Sequence, residues 1–223
     1  MPRATTALIN VLFALGAAAA PIRAAGVVKD VLAGAGSLRD WAWAGFTVLQ
    51  AVAWICFALF TYTRSSGTRA RRDPRSFAAC TLAIAAGALV ALRTAHADSS
   101  PTSVLLAGDL IALGSSAWLV ASLLVLRKCF GVLPAARGLV TRGPYRVVRH
   151  PVYLGELGAF AGLTIASGSA WAAVGWLVLA GAQLARVRLE EETLAAAFPE
   201  YGDYAARTPL LIPHVRIRSA ATG

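Results

Sequence analysis

The chain has 223 residues, of which 57% are hydrophobic and 14% are charged, and its mean hydropathy is +0.63. Water-soluble domains carry roughly 25% charged residues and about 45–50% apolar residues. This composition excludes a disordered chain and a disulfide scaffold, and it indicates a protein that lies in a membrane. The net charge of +10 does not indicate nucleic-acid binding, because no basic patch is interleaved with aromatic residues.

Charge-free segments predict four transmembrane helices in residues 1–126. A helix needs about 20 apolar residues to cross a hydrocarbon core of about 30 Å. Charged residues delimit such segments at about 4–22, 41–63, 76–92 and 104–126. The first segment also resembles a secretory signal peptide with an Ala-rich cleavage region, and its removal stays an open alternative.

Residues 151–185 contain one charged residue, Glu156, and are too long for a single crossing. A helix of that length would extend about 52 Å at 1.5 Å per residue. The cluster Ser167-Gly168-Ser169 lies at its middle, and such clusters break helices. The sequence therefore predicts a helical hairpin of 151–166 and 170–190, followed by a cytoplasmic amphipathic tail. The predicted fold class is an all-α integral membrane protein.

The basic residues predict the orientation of these helices. With this topology, 17 of the 21 Lys and Arg residues lie on one side of the membrane. The four exceptions are Arg23, Lys29, Arg39 and Arg93. Because loops rich in Lys and Arg stay in the cytoplasm, we expect a multi-pass protein of the plasma (inner) membrane whose hairpin opens toward the cytoplasm.

The cysteine and glycine patterns do not indicate a metal, disulfide or dinucleotide site. Cys56, Cys80 and Cys129 have neither CxxC spacing nor an even number. Gly34-Ala35-Gly36 is followed by Arg39 where the dinucleotide fingerprint requires a third glycine. We therefore expect no metal ligand set and no Rossmann-type enzyme.

Polar residues concentrate at the start of the hairpin, which reads GPY at 143–145 and RHPVYLGE at 149–156. Pro151 suits the first turn of a helix, where its missing N–H is not needed. His150 precedes a proline, and a residue in that position disfavours helical backbone geometry. We therefore predict that His150 is the N-cap of the helix. Backbone N–H groups at such a helix start attract anions. An interfacial belt of Tyr, His and Arg is the simpler alternative.

The end of the hairpin reads RVRLEEETL at 186–194. Arg186 and Glu190 are four residues apart and share a helix face. Because a hairpin returns this end beside its own start, we expect both side chains to approach His150 and Tyr145. A solvated helix end with ion pairs is the alternative interpretation.

These residues resemble the signature of the isoprenylcysteine carboxyl methyltransferase family, within the wider group of phospholipid methyltransferase-like membrane proteins. The resemblance covers about residues 137–213, whereas the first 125 residues are similar only as generic membrane helices. It consists of GPY at 143–145 followed by RHPxYxG at 149–155, and of RxxxEExxL at 186–194 followed by Phe198, Tyr201, Tyr204, Pro209 and Pro213.

The resemblance implies that residues 127–223 form a catalytic region that transfers methyl from S-adenosylmethionine to a lipophilic acceptor. It implies carboxyl O-methylation of an isoprenylcysteine-like or isoprenoid substrate, with Arg186 as the catalytic residue that faces the acceptor. The expected partners are that acceptor, either a small molecule or a lipidated one, and membrane lipid. The implied donor site consists of Arg137, Gly138, Leu139, Val140, Tyr145, His150, Pro151, Val152, Tyr153 and Glu190.

Other functions remain open on the same residues. RHPxYxG is shared with membrane sterol reductases, which makes an NADPH-dependent reductase an alternative, and a non-catalytic protein that keeps the fold is another. Asp109 lies inside the fourth segment, where a charged residue suggests function. An interfacial aspartate near the outer end, either capping a helix or paired with Arg93, is the simpler expectation. Glu156 is expected to contact substrate or to form a hydrogen bond between helices.

Overall fold

The computed structural model describes residues 2–34, 36–64, 69–70, 73–94 and 100–213, without the side chains of residues 2–9, 69–70 and 94. Arg71, Arg72, Arg216 and Arg218, and the tail beyond residue 213, lie outside the described residues. The helices are α1 (Pro2–Ala33), α2 (Leu38–Thr63), α3 (Pro74–Thr94), α4 (Thr102–Leu126), α5 (Pro151–Ser167), α6 (Ala170–Ala195) and α7 (Tyr201–Arg207).

The helices are those of an all-α membrane protein. In the described part of the chain, five helices are long and apolar enough to cross a membrane: α1 to α4 and α6. The span within α1 is Asn10–Ala33. Helix α5 is shorter and packs between α4, α3 and α6.

Helix α1 extends well past the predicted segment of about 4–22. It continues through Pro21 and Arg23 to Ala33, so the predicted end near residue 22 is corrected. The charge at Arg23 marks the end of an apolar run but does not end the helix, because the alanines around it favour helix. The Arg23 guanidinium lies 5.8 Å from the centre of the Trp43 ring on α2, which accommodates the charge.

The hairpin of α5 and α6 turns at the polar cluster in its middle. Gly168 ends α5 in the left-handed conformation, with φ at 58°. Ser169 is the N-cap of α6, and its hydroxyl accepts a hydrogen bond from the Ala172 N–H. The same residues that break the apolar run therefore supply the αL residue and the cap that the turn requires.

Helices α4 and α5 form the closest pair in the bundle, and small residues line their contact. A Cβ atom on Gly162 would lie 2.5 Å from the Gly108 carbonyl oxygen and from the Ala112 nitrogen. A Cβ on Gly155 would lie 2.8 Å from the Leu119 Cβ. Close backbone approach is how membrane helices gain packing energy, since lipid supplies no hydrophobic driving force between helices.

Two short contacts hold the loops at the end of the bundle where α5 begins, which we call the site end. Strands β1 (Arg69–Ala70) and β2 (Ala135–Ala136) pair antiparallel, so the segment after α2 lies beside the segment after α4. The N–H groups of Arg149 and His150 donate to the carbonyls of Pro209 and Leu210, at 2.8 and 3.2 Å. The chain after α7 therefore crosses the start of α5.

The opposite end of the bundle contains the buried Asp109. The Arg39 Nε on α2 donates to the Asp109 Oδ2 at 3.2 Å, and Asp109 is 2% exposed. The expected pairing of Asp109 with Arg93 is thus wrong. Helix α4 packs against α2, whereas α3, which carries Arg93, packs against α6 and α5.

We expect Gly162→Ala to lower the thermal unfolding midpoint in detergent by about 2–12 °C, because the added methyl overlaps backbone atoms of α4 and overpacking costs about 1–3 kcal/mol. Gly114→Ala on α4 is the matched control, since no atom lies within 4 Å of its added Cβ. Equal midpoints for the two variants would show that α4 and α5 are not closely packed.

Candidate active site

A cavity of about 700 Å³ opens within the bundle and reaches the site end. All of the predicted donor and acceptor residues line this cavity except Pro151. Pro151 is fully buried, and its carbonyl accepts a hydrogen bond from the Trp118 Nε1 at 3.1 Å. The lining residues from the predicted set are Arg137, Gly138, Leu139, Val140, Tyr145, His150, Val152, Tyr153, Glu156, Arg186 and Glu190.

The rest of the cavity wall is mostly apolar, although α1 and α2 also contribute Arg23, Thr47 and Gln50. Helices α1 and α2 supply aromatic rings, and α3, α5 and α6 supply aliphatic and aromatic side chains on the other side. These residues include Phe13, Trp54, Phe57, Ile84, Phe160, Leu163 and Leu179. The cavity thus combines a polar mouth at the site end with an apolar body between the helices.

Local backbone geometry at the mouth follows from the His-Pro sequence. His150 is the N-cap of α5, with φ −122° and ψ 62°, and Pro151 is the first helical residue. Carbonyls of the chain after α7 already bind the N–H groups of Arg149 and His150. The N–H groups of Arg149 and His150 are therefore not free to bind an anion. The predicted attraction of an anion to this helix start concerns only the N–H groups within the first turn of α5.

The Glu191 carboxylate joins three parts of the chain at the mouth. It accepts two hydrogen bonds from Arg149, Nε to Oε1 at 3.0 Å and Nη2 to Oε2 at 2.9 Å. The His150 Nε2 lies 2.6 Å from Oε1, and the Tyr201 hydroxyl also donates to Oε1. We call Glu191, Arg149, His150 and Tyr201 the carboxylate clamp, because they fasten α6, the start of α5 and α7 together.

The clamp shifts the titration of its partners. Burial lowers the pKa of Arg149, whereas the hydrogen bonds and the negative charge of Glu191 raise it. The second effect is larger, so the pKa of Arg149 lies above its ordinary value. Burial and the hydrogen bond to Glu191 raise the pKa of Tyr201. Arg149 also donates from Nη1 to the carbonyls of Ala205 and Thr208, at 2.8 and 2.7 Å. Arg149 is therefore charged and Tyr201 is a neutral donor across the physiological pH range.

Glu190 faces the cavity beside the clamp. Its Oε2 accepts a hydrogen bond from the Tyr153 hydroxyl at 2.9 Å and lies 4.0 Å from the His150 Nδ1. The Tyr204 hydroxyl donates to the Tyr145 carbonyl at 2.6 Å, and burial raises the pKa of Tyr204 to about 12. A carboxylate framed by tyrosine rings can bind a cation from the cavity.

Arg186 lies one turn deeper on α6. Its guanidinium lies 4.9 Å from the centre of the Tyr153 ring. Its Nη1 donates to the Gln183 Oε1 at 2.8 Å, and its Nη2 donates to the Val132 carbonyl at 3.1 Å. Arg186 thus shares a face with Glu190, as the spacing predicts, but bonds to Gln183 and Val132.

Glu156 lies one turn deeper than Tyr153 on α5. The Gln183 Nε2 on α6 donates to the Glu156 Oε2 at 2.5 Å. Of the two expectations for Glu156, the hydrogen bond between helices is therefore observed, and contact with a substrate stays a prediction.

Arg137 lies at the mouth on the segment that follows α4. Burial lowers the pKa of Arg137, and the nearby Arg64 charge lowers it as well. In the described part of the chain, the buried Arg137 Nε has no hydrogen-bond partner. Gly131 allows this side chain to pack, since a Cβ there would lie 2.0 Å from the Arg137 Nη1. Such a guanidinium can bind an anionic group at the cavity mouth.

Five residues of the site were not in the predicted set of site residues: Arg149, Gln183, Glu191, Tyr201 and Tyr204. Arg149 stands within the RHP motif, and Glu191 follows Glu190 directly. Gln183 is a polar residue in an apolar segment, three residues before Arg186, and this spacing places both on one helix face. The residues that the structure describes include no group of three or more His, Cys, Asp or Glu side chains that could hold a metal ion.

We expect Glu191→Gln to loosen the carboxylate clamp, since hydrogen bonds to a charged group contribute about 1.5–3 kcal/mol. Hydrogen exchange should then accelerate about tenfold or more in peptides that contain the Arg149 and His150 amides or residues 201–213. Glu192→Gln, an exposed neighbour on α6, should leave exchange unchanged. Unchanged exchange in Glu191→Gln would mean that the clamp does not hold the chain after α7.

Comparison with known proteins places this site within a known family domain. Residues 102–201, from α4 to the start of α7, match the phospholipid methyltransferase family. The chain is 42% identical over 80 residues to the cobalt-zinc-cadmium resistance protein CzcN of Cupriavidus metallidurans, which is 35% of this chain and 37% of that protein. It is 40% identical over 86 residues to the nickel-cobalt-cadmium resistance protein NccN of Alcaligenes xylosoxydans xylosoxydans, which is 38% of this chain and 40% of that protein.

These matches cover about two fifths of each resistance protein's length. The family match includes the hairpin, the carboxylate clamp and all twelve of the predicted site residues, while α1 to α3 lie outside it. The region from α4 to the start of α7 is therefore similar to the phospholipid methyltransferase family.

Proposed function

We propose that the chain transfers a methyl group from S-adenosylmethionine to a lipophilic acceptor at the cytoplasmic face of the membrane. The observation that carries this proposal is that residues of both sequence motifs, RHPxYxG and RxxxEE, line one cavity. Its mouth carries charges of both signs, and its body is mostly apolar. A polar donor and an apolar acceptor can therefore meet in one site.

The residues at the mouth fit the chemistry of the donor, which supplies an electrophilic methyl on a sulfonium and also carries an ammonium and a carboxylate. Glu190 would bind a positive group of the donor, and the rings of Tyr145 and Tyr153 would stabilise the sulfonium by cation–π contact. Arg137, whose Nε has no partner among the described residues, would bind the donor carboxylate.

The apolar body fits the acceptor. Rings and aliphatic side chains of α1, α2, α3, α5 and α6 line it, as an isoprenoid or acyl chain requires. Arg186 lies where the polar mouth meets this apolar body and would hold an acceptor carboxylate in two hydrogen bonds. We propose an isoprenylcysteine-like or isoprenoid acid as the acceptor, since a carboxylate is ionised at neutral pH and needs no base.

Alignment and removal of water would then provide most of the rate enhancement. The carboxylate clamp holds α5 and α6 together, so Tyr153, Glu190 and Arg186 keep fixed relative positions. Transfer converts a cation and an anion into neutral products, which a cavity shielded from water favours.

Calorimetry in detergent tests the donor site. We expect the wild-type chain to bind S-adenosylmethionine and not NADPH, which would distinguish a methyltransferase from a sterol-type reductase. Glu190→Gln should weaken donor affinity about ten- to a hundredfold, as the loss of a charge-assisted contact of about 1.5–3 kcal/mol predicts. Arg186→Ala should keep donor affinity within about threefold and lose turnover of a farnesyl-type acid.

Glu192→Gln serves as the matched control for Glu190→Gln, because it removes the same charge from an exposed position on the same helix. Wild-type donor affinity and turnover in both site variants would show that the site is placed wrongly. NADPH binding without S-adenosylmethionine binding would select the reductase, and binding of neither would select a non-catalytic protein.

Cysteine labelling of intact cells tests the orientation, because S-adenosylmethionine is cytosolic. In a chain freed of Cys56, Cys80 and Cys129, Gly202→Cys on α7 should resist an impermeant maleimide. Gly34→Cys, at the end of α1, should react. Neither substitution meets an atom closer than 3.7 Å. Reaction of Gly202→Cys from outside would place the site on the wrong face and exclude a cytosolic donor.

A further inference from the structure

The cavity contains a second carboxylate, which the proposed carboxyl methylation does not use. Glu156 lies two turns into α5, beyond Tyr153, and lines the cavity together with Arg186 and Gln183. Beyond it Phe160 lines the wall one turn further along the same helix, while Thr47 and Gln50 of α2 add polar groups to a mostly apolar lining. Glu156 is thus the deepest acidic side chain of the cavity among the described residues, at the boundary between donor mouth and acceptor body.

Gln183 fixes the orientation of this carboxylate. Its amide nitrogen donates to the Glu156 Oε2 at 2.5 Å, while its amide oxygen accepts from the Arg186 Nη1 at 2.8 Å. Gln183 is 2% exposed, and both its amide nitrogen and its amide oxygen already form hydrogen bonds. One oxygen of Glu156 is therefore occupied, and the other, Oε1, forms no hydrogen bond with any described residue.

A charged side chain at this depth in a membrane is costly and is a functional candidate by default. A helix-to-helix hydrogen bond alone would need only a neutral amide at position 156. A carboxylate that lines the cavity with one oxygen held by an amide, and with a guanidinium at the far end of that amide, has the form of a general base. A carboxylate acceptor does not require such a group, because it has no proton to lose.

We propose that Glu156 is a catalytic base and that the cavity also methylates lipophilic acceptors with an acidic hydroxyl, such as a phenol or an enol with an apolar chain. This inference rests on the proposed function, since it uses the same donor site. It adds a second acceptor class to the carboxylates that Arg186 would bind.

The step balances without a further reactant. The acceptor O–H bond breaks as its proton passes to the Glu156 Oε1, and an electron pair of the acceptor oxygen forms the bond to the methyl carbon. The carbon–sulfur bond breaks, and its electron pair returns to sulfur. A sulfonium and a carboxylate become a thioether and a carboxylic acid, while Arg186 stabilises the oxygen as it becomes negative.

Two acceptors with the same dodecyl chain, 4-dodecylphenol and tridecanoic acid, test the proposal with methyl-labelled S-adenosylmethionine and the full chain in detergent. Labelled ester is released by alkali and labelled aryl ether is not, so one reaction reports both products. We expect wild type to form the ether. Glu156→Gln should lower ether formation about a hundredfold or more, within the usual range of general base catalysis, and lower ester formation far less, because a carboxylate acceptor has no proton to lose.

Controls separate this role from a structural one. Glu156→Asp keeps a carboxylate and should retain measurable ether formation. If Glu156→Gln fails to fold, this variant still tests whether a carboxylate at position 156 supports the reaction. Glu200→Gln, an exposed glutamate outside the cavity, should change neither product. Equal loss of ether and ester in Glu156→Gln, with wild-type donor affinity, would make Glu156 a structural residue and overturn the proposal.

The same experiment distinguishes failure of this inference from failure of the proposed function. If wild type forms no ether, the proposal that Glu156 is a catalytic base is overturned, whether or not ester forms. Absence of S-adenosylmethionine binding in calorimetry overturns the methyltransferase itself.

Discussion

The architecture of the site depends on one partly buried ion pair, the bidentate contact between Arg149 and Glu191. Arg149 stands directly before the start of α5 and Glu191 near the end of α6, so this contact closes the open end of the hairpin. His150 and Tyr201 bind the same carboxylate, which joins α7 to it. Backbone hydrogen bonds from Arg149 and His150 to Pro209 and Leu210 hold the chain after α7 at the same place. The relative positions of Tyr153, Glu190 and Arg186 follow from the closure.

Closure of the hairpin also aligns two polar rows that run into the bundle. On α5 the row is His150, Tyr153 and Glu156, and on α6 it is Glu190, Arg186 and Gln183, each spaced by one turn. Contacts link the rows at each level: Tyr153 to Glu190, Arg186 over the Tyr153 ring, and Gln183 to Glu156. Buried polar groups are tolerated in a membrane when they bind one another, and this pairing lets polar chemistry reach the apolar cavity.

Sequence reasoning predicted the hairpin because 35 residues with one charge exceed a single crossing, and it placed Arg186 and Glu190 near His150 through the same argument. It could not assign Glu191, because neighbouring residues on a helix point about 100° apart and the sequence does not say which of the two glutamates faces His150. It missed the end of α1, because an arginine can remain within a helix when an aromatic ring accommodates its charge. It paired Asp109 with Arg93 because chain order does not reveal that α4 packs on α2.

The hydrogen-bonded series Arg186–Gln183–Glu156 explains how a guanidinium can remain inside the bundle when no acceptor is bound. Arg186 would be costly there without a counter-charge, yet a direct ion pair with a glutamate would occupy the donors that an acceptor needs. Gln183 separates the two charges while it hydrogen-bonds both. The unit is neutral as a whole, and the Arg186 Nε has no partner among the described residues. An acceptor oxygen can therefore bind the guanidinium without first breaking a salt bridge.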